Sequence, residues 1–186
     1  MPKNKKQILN QYRNINGNCI LFSWLFNHDT KTLNASALFY KLILISPEWA
    51  VRLVLFDDEE TKNAFKITLG HELTHKDGDY FKLLSFGKNK RFVNYTNEVH
   101  ADFGAAEKMV NSDRKKLIAS MNYKLSLKAN NKNTNDHPSW NTRKYYAENY
   151  NFNKKLIERI AKDVGCNNKD LIEKVCEYYN SDIILN

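Results

Sequence analysis

The pentapeptide His71-Glu72-Leu73-Thr74-His75 constrains this chain more than any other feature of it. Two histidines four residues apart fall one turn from each other on a helix, so both imidazoles reach a common point when the segment is helical. The flanking pattern asks for the same structure. Between Thr61 and Asp77, Phe65, Leu69 and Leu73 recur at helical spacing, beside a stripe formed by Ala64, Thr68, His71 and His75. The acidic run Asp57-Asp58-Glu59-Glu60 stands where a helix start favours carboxylates. Glu72 adjoins the histidines off their shared face, so its carboxylate can reach a water at a metal ion rather than the ion itself. Such a pair needs a third ligand, and the identity of that ligand decides the chemistry.

Gly78 occupies the glycine position of H-E-x-x-H-x-x-G-x-x-H, but Phe81 stands where the third histidine belongs, so that pattern fails. A later helix, expected over Thr96–Val110, supplies Glu98-Val99-His100-Ala101-Asp102. On a helix Glu98 and Asp102 share a face, and His100 points elsewhere. Glu98 is therefore the favoured third ligand, which with His71 and His75 makes the His2Glu zinc set with one open position. Asp102 then accepts an Nδ1–H from His71 or His75 and turns Nε2 toward the ion. His100 remains the competing ligand. The small residues Ala101, Gly104, Ala105 and Ala106 let this helix pack closely against a neighbour.

Elsewhere the chain reads as a mixture. A helix is expected around Lys5–Arg13 and an apolar segment at Cys19–Phe26; Leu38–Ile45 is a strand-length apolar run ended by Ser46-Pro47, and Pro47–Leu55 a short helix. Asn153–Val164 and Asn168–Tyr179 form a helical hairpin split at Gly165. With 186 residues, 42% of them hydrophobic, the chain is long enough to bury a core, and its six glycines form no phosphate-cradling loop, which removes kinase, GTPase and dinucleotide-binding readings. No apolar run approaches the length of a membrane span, no secretory signal is evident, and the three cysteines form no C-x-x-C pair. The reading is a cytoplasmic chain that starts near Met1, with reduced cysteines in its core.

The net charge of +8 lies mostly between residues 61 and 150, which carry 16 basic and 9 acidic groups. It concentrates in Arg114, Lys115, Lys116, Lys124, Lys128 and Lys132. A solvated face explains these; a patch for nucleic acid or an anionic surface is the sharper alternative, and no nucleic-acid motif supports it. Residues 111–136 are long and polar, and a mobile lid is expected there, nicked first by trypsin.

Helical H-E-x-x-H, then Glu98-x-x-x-Asp102 followed by small residues, then His137-Pro138 with Arg143 downstream, resembles the gluzincin zinc metallopeptidases of the CAAX-prenyl-endopeptidase (HtpX-like) type. Asn34-Ala35 before the apolar run is similar to the segment ahead of that family's active-site edge strand. The resemblance implies an α+β, zincin-like fold, mainly helical, with a small sheet whose edge strand, Leu38–Ile45, flanks the active-site helix. Residues 1–150 would be the catalytic domain, with the hairpin 151–186 packed on it or appended. It also implies Zn2+ held by His71, His75 and Glu98, hydrolysis of a protein or peptide substrate by a zinc-activated water, and Glu72 as general base. His137 and Arg143 become candidates for stabilising the oxyanion, ahead of Tyr145 and Tyr146; a structural histidine and an organising ion pair are their alternatives. His28 has no motif around it. Two further functions stay open: a regulatory zincin of the ImmA/IrrE type, and a basic binding module with a structural metal.

Overall fold

The computed structural model describes residues 7, 10, 12, 14–15, 18–22, 33, 35–38, 42–80, 89–127, 131–180 and 182–186. Four short strands, β1 (Asn14–Ile15), β2 (Asn18–Phe22), β3 (Ala35–Leu38) and β4 (Leu42–Ile45), make a small sheet in the order β1-β2-β4-β3. β2 and β4 run parallel, and the other two pairs are antiparallel. Among the described residues seven helices follow: α1 (Pro47–Leu55), α2 (Glu59–Gly78), α3 (Lys90–Val110), α4 (Arg114–Ser126), α5 (Trp140–Asn149), α6 (Lys154–Val164) and α7 (Lys169–Tyr178). The architecture is α+β and mainly helical. Among the described residues no helix is long and apolar enough to cross a membrane.

Local chemistry accounts for the starts of these helices. Pro47 opens α1, where its missing N–H is not needed. Asp58 caps α2 by accepting from the backbone N–H of Thr61, and Asp113, Ser139, Asn153 and Asn168 cap α4 to α7 in the same way. α3 starts at Lys90, six residues ahead of the sequence expectation, because its first turns bury Phe92, Val93 and Tyr95.

Two apolar clusters flank the α2–α3 pair. One joins Ile20, Ile43 and Ile45 of the sheet to Trp49 and Leu53 of α1 and to Phe65, Leu69 and Leu73 of α2. The other joins Phe92, Val99 and Phe103 of α3 to Leu117 and Met121 of α4, Tyr146 of α5, and the hairpin residues Leu156, Ile157, Ile160, Leu171 and Val175. The hairpin thus shares one core with the helix that carries Glu98. Close approach of α2 and α3 depends on two glycines. A Cβ on Gly104 would lie 2.6 Å from Thr74 Cγ2, and one on Gly70 would lie 2.6 Å from Met109 Cγ, so any larger residue would push the helices apart.

Several expectations are revised. Leu38–Ile45 is not one edge strand: β3 and β4 form an antiparallel pair, β4 lies inside the sheet between β2 and β3, and β3 is one of its two terminal strands, packed beside α2. The reason is burial, since Ile43, Leu44 and Ile45 are enclosed and their strand is paired on both sides. The expected lid is largely a packed helix, because α4 buries Leu117, Ser120, Met121 and Tyr123. The basic segment loses two of its charges to the interior. Arg114 donates to the carbonyls of Ala147, Tyr150 and Leu185 and to Asn151 Oδ1, tying α4 to the chain's end, and Lys124 is buried. Lys128 and most of the Lys5–Arg13 segment lie outside the described residues, as do His28 and Phe81. Cys166 is buried and Cys176 half-buried, but Cys19 is exposed, since it alternates with buried Ile20 along β2.

Candidate metal centre

α2 presents His71 and His75 on one face, and α3 brings Glu98 against them. His71 Nε2 and His75 Nε2 are 2.9 Å apart, His71 Nε2 is 3.4 Å from Glu98 Oε2, and His75 Nε2 is 3.4 Å from Glu98 Oε1. An ion held tetrahedrally at about 2.0–2.1 Å from each ligand separates its ligand atoms by roughly 3.3 Å, so this triangle fits a zinc ion. The orientation of the rings supports the fit. His71 Nδ1 lies 3.1 Å from Asp102 Oδ1, and His75 Nδ1 lies 2.8 Å and 2.9 Å from the two oxygens of Asp79. Each carboxylate accepts the Nδ1–H and leaves an Nε2 lone pair facing inward. Two lone pairs 2.9 Å apart repel unless a cation lies between them.

In the metal-free protein a proton on His75 supplies that charge. Burial alone would lower the pKa of His75, but hydrogen bonds to Asp79 and Glu98 outweigh it and lift the value to about 10. Burial likewise opposes ionisation of Glu98, yet the two histidines and the charge of Arg143 hold its carboxyl well below the usual range. Metal binding must therefore displace a proton. Zinc titrated into the protein at pH 7.5 is expected to release about one proton per ion, read as the dependence of calorimetric heat on buffer ionisation enthalpy. Heat independent of the buffer would contradict the protonated pair.

Arg143 locks this arrangement from α5. Its Nε donates to Asp102 Oδ2 at 2.6 Å, its Nη2 donates to Asp102 Oδ1, and its Nη1 lies 3.3 Å from Glu98 Oε2. Asp102 is buried, which alone would raise its pKa, but Arg143 and His71 bring it down to about 2. All three guanidinium nitrogens thus face the two carboxylates, so Arg143 ties Asp102 to Glu98. His137 differs. Its side chain is 65% exposed, and its Nε2 lies 3.3 Å from Glu98 Oε1 at the lip of a cleft lined also by His75, Asp79, Asn94 and Asn97. The backbone holds it there, through His137 N–H to Thr134 Oγ1 at 2.9 Å and Thr134 N–H to the His137 carbonyl at 2.9 Å.

His100 does not join the ligands. Among the described residues the only cluster able to hold a metal is His71, His75 and Glu98. The ring of His100 packs against Phe152 and Tyr179, and burial lowers its pKa to about 4, so it is a neutral packing residue. Tyr146 is committed elsewhere, its hydroxyl donating to Asp163 at 2.9 Å, and Tyr145 lies on the far side of α5 against Arg159. Asp79 is the partner that sequence reasoning missed. Its signal was local, four residues beyond His75 where α2 ends.

Lys124 is a second residue the sequence misplaced. It is buried, its Nζ lies 4.2 Å from the centroid of the Trp140 ring, and Arg143 lies 4.0 Å from the same ring. Burial, reinforced by the charge of Arg143, pushes its pKa down to about 7 from 10.5. A depressed lysine penalises folding most below the folded pKa, where its charge must be buried, and the penalty fades as pH rises toward the unfolded value. Lys124→Met is therefore expected to raise the melting temperature by several degrees at pH 6.5 and by much less at pH 10. Equal shifts at both pH values would show that its charge is not the cause.

The chain matches no protein-family model, no curated protein and no solved structure.

Proposed function

We propose that this protein is a zinc-dependent metallopeptidase of the gluzincin type, with His71, His75 and Glu98 as ligands. The observation that carries the reading is the convergence of His71 Nε2, His75 Nε2 and the Glu98 carboxylate, with each imidazole held by its own aspartate. A zinc ion bound there would polarise a scissile carbonyl and lower the pKa of water. The chain's own residues supply the remaining steps. Glu72 takes the proton of the attacking water and later delivers it to the leaving amine nitrogen. His137, exposed beside Glu98, donates to the oxygen that becomes negative as the carbonyl is attacked. Arg143 and Asp102 keep Glu98 and His71 from turning. An extended substrate adds to β3, the terminal strand beside α2, and aligns its peptide bond along the ligand face.

The test uses zinc-loaded protein and a mixture of quenched fluorescent peptides. Wild type should cleave members of the mixture, and Glu72→Gln should keep its zinc while losing cleavage. Cleavage at the wild-type rate by Glu72→Gln would remove the assigned base. No cleavage by zinc-loaded wild type across the mixture would remove the reading.

A further inference from the structure

A second cleft, of about 440 Å³, lies between the first turns of α3, residues 131–134, α5 and α6. Tyr95, Tyr145 and Tyr146 wall it, Asn133 and Asn141 reach its rim, and two arginines line it, Arg91 and Arg159. The arginines differ. Arg159 is neutralised, its Nε 2.9 Å from Asp163 Oδ2. Arg91 stacks its guanidinium 5.0 Å above the ring of Tyr95 and donates from Nη2 to the Tyr95 hydroxyl at 3.0 Å, and among the described residues no carboxylate pairs with it. The cleft therefore carries one uncompensated positive charge, held rigid by a ring and a hydroxyl. A held, unpaired guanidinium in a cleft is a receptor for an anion, and its fork suits a carboxylate.

The position ties this cleft to the metal centre. Arg91 and Glu98 are seven residues apart on α3, which places them roughly 10 Å apart along the helix axis, two turns from each other on one side. The segment 131–137 forms the ridge between the two clefts. It is fastened to α3 by Tyr95 donating to the Thr134 carbonyl at 2.8 Å and by Asn94 donating to Asp136 Oδ1 at 3.0 Å. Asn133 lines one side of this ridge, and Asp136 and His137 line the other. An extended peptide covers such a distance with about three residues.

We propose that the Arg91 cleft is an anion-recognising subsite that takes an acidic side chain of a peptide about three residues from the bond presented to the metal centre. The word subsite rests on the peptidase reading; binding of the acidic side chain does not.

Two fluorescein-labelled alanine–leucine octapeptides test it, one carrying a single glutamate three residues from its centre and the other glutamine there. Binding is read by fluorescence polarisation in 150 mM salt on zinc-loaded Glu72→Gln protein, so that nothing is cleaved. The glutamate peptide is expected to bind about tenfold tighter than its counterpart. Arg91→Gln should abolish that preference with zinc content unchanged, Arg91→Lys should keep part of it, and a Lys115→Gln/Lys116→Gln control on exposed α4 should keep all of it. Equal binding of the two peptides, no binding of either at millimolar protein, a preference that survives Arg91→Gln, or one lost in the lysine control would each overturn the proposal. The two readings fail separately. A glutamate preference without cleavage by wild type would sink the peptidase and leave the anion site, whereas equal cleavage of both peptides by wild type would do the reverse.

Discussion

Glu98→Ala is expected to strip the protein of its metal. The two histidines that remain offer only a bidentate site, and removing even an outer partner of a ligand costs about 10- to 100-fold in metal affinity, so loss of a ligand should exceed 100-fold. Elemental analysis at matched protein concentration should find one zinc per chain in wild type and close to none in Glu98→Ala. His100→Ala should retain it, since that ring packs against Phe152 and Tyr179 away from the ligand cluster. Zinc should also stabilise wild type against heat by an amount that rises with the logarithm of its concentration, and leave Glu98→Ala unmoved. Zinc retained in Glu98→Ala, or lost in His100→Ala, would overturn the ligand assignment and the peptidase reading with it.

The second large effect is expected at Arg143. Its guanidinium pairs with Asp102 and Glu98 while buried with them. Arg143→Met leaves two buried carboxylates without their counter-charge, which costs about 3–5 kcal/mol and lowers the melting temperature by roughly ten degrees in a chain of this size. The effect should depend on pH. In wild type the Asp102 pKa of about 2 lies below its ordinary 3.8, so its contribution is present above that ordinary value and is lost as pH falls through the folded one. In Arg143→Met burial acts on Asp102 with far less opposition, the carboxyl takes up a proton more readily, and the gap between variant and wild type should narrow below about pH 4. Removing both partners is the control. Arg143→Met with Asp102→Leu should cost less than the sum of the single changes by roughly 2 kcal/mol, because neither charge is left stranded. Additive losses would mean that the pair does not act as a unit.

Together these variants separate two ways of building a metal site. Glu98 and the histidines would contact an ion held there, whereas Arg143 and the two aspartates fix where those side chains point. His71 and His75 carry the same aspartate device from different origins, Asp102 from the facing helix and Asp79 from the end of their own. Loss of either aspartate should weaken zinc without removing it.

The ligand set was legible in the sequence because each part of it is periodic. His71 and His75 are one turn apart, Glu98 and Asp102 are one turn apart, and the small residues near Gly104 announce a close helix contact; a spacing of four residues carries geometry by itself once the segment is helical. The acidic run that opens α2 was legible for the same reason, since the cap at Asp58 bonds within three residues. What the sequence could not decide is which way a charge faces. Arg114, Lys124 and Lys132 look alike in a basic segment, but Arg114 turns inward to carbonyls at the chain's end, Lys124 lies buried against Trp140, and Lys132 is exposed. An apolar run of eight residues also cannot tell one strand from the hairpin of two that forms here, because pairing partners set the turn. Arg143 showed only a spacing from His137; that it clamps Asp102 and Glu98 follows from α5 packing across α3, a contact between residues 41 and 45 positions apart in the chain. Periodicity along one element is written in the order of residues, whereas burial of a charge and the sharing of a partner between elements are decided by the packing of the whole chain.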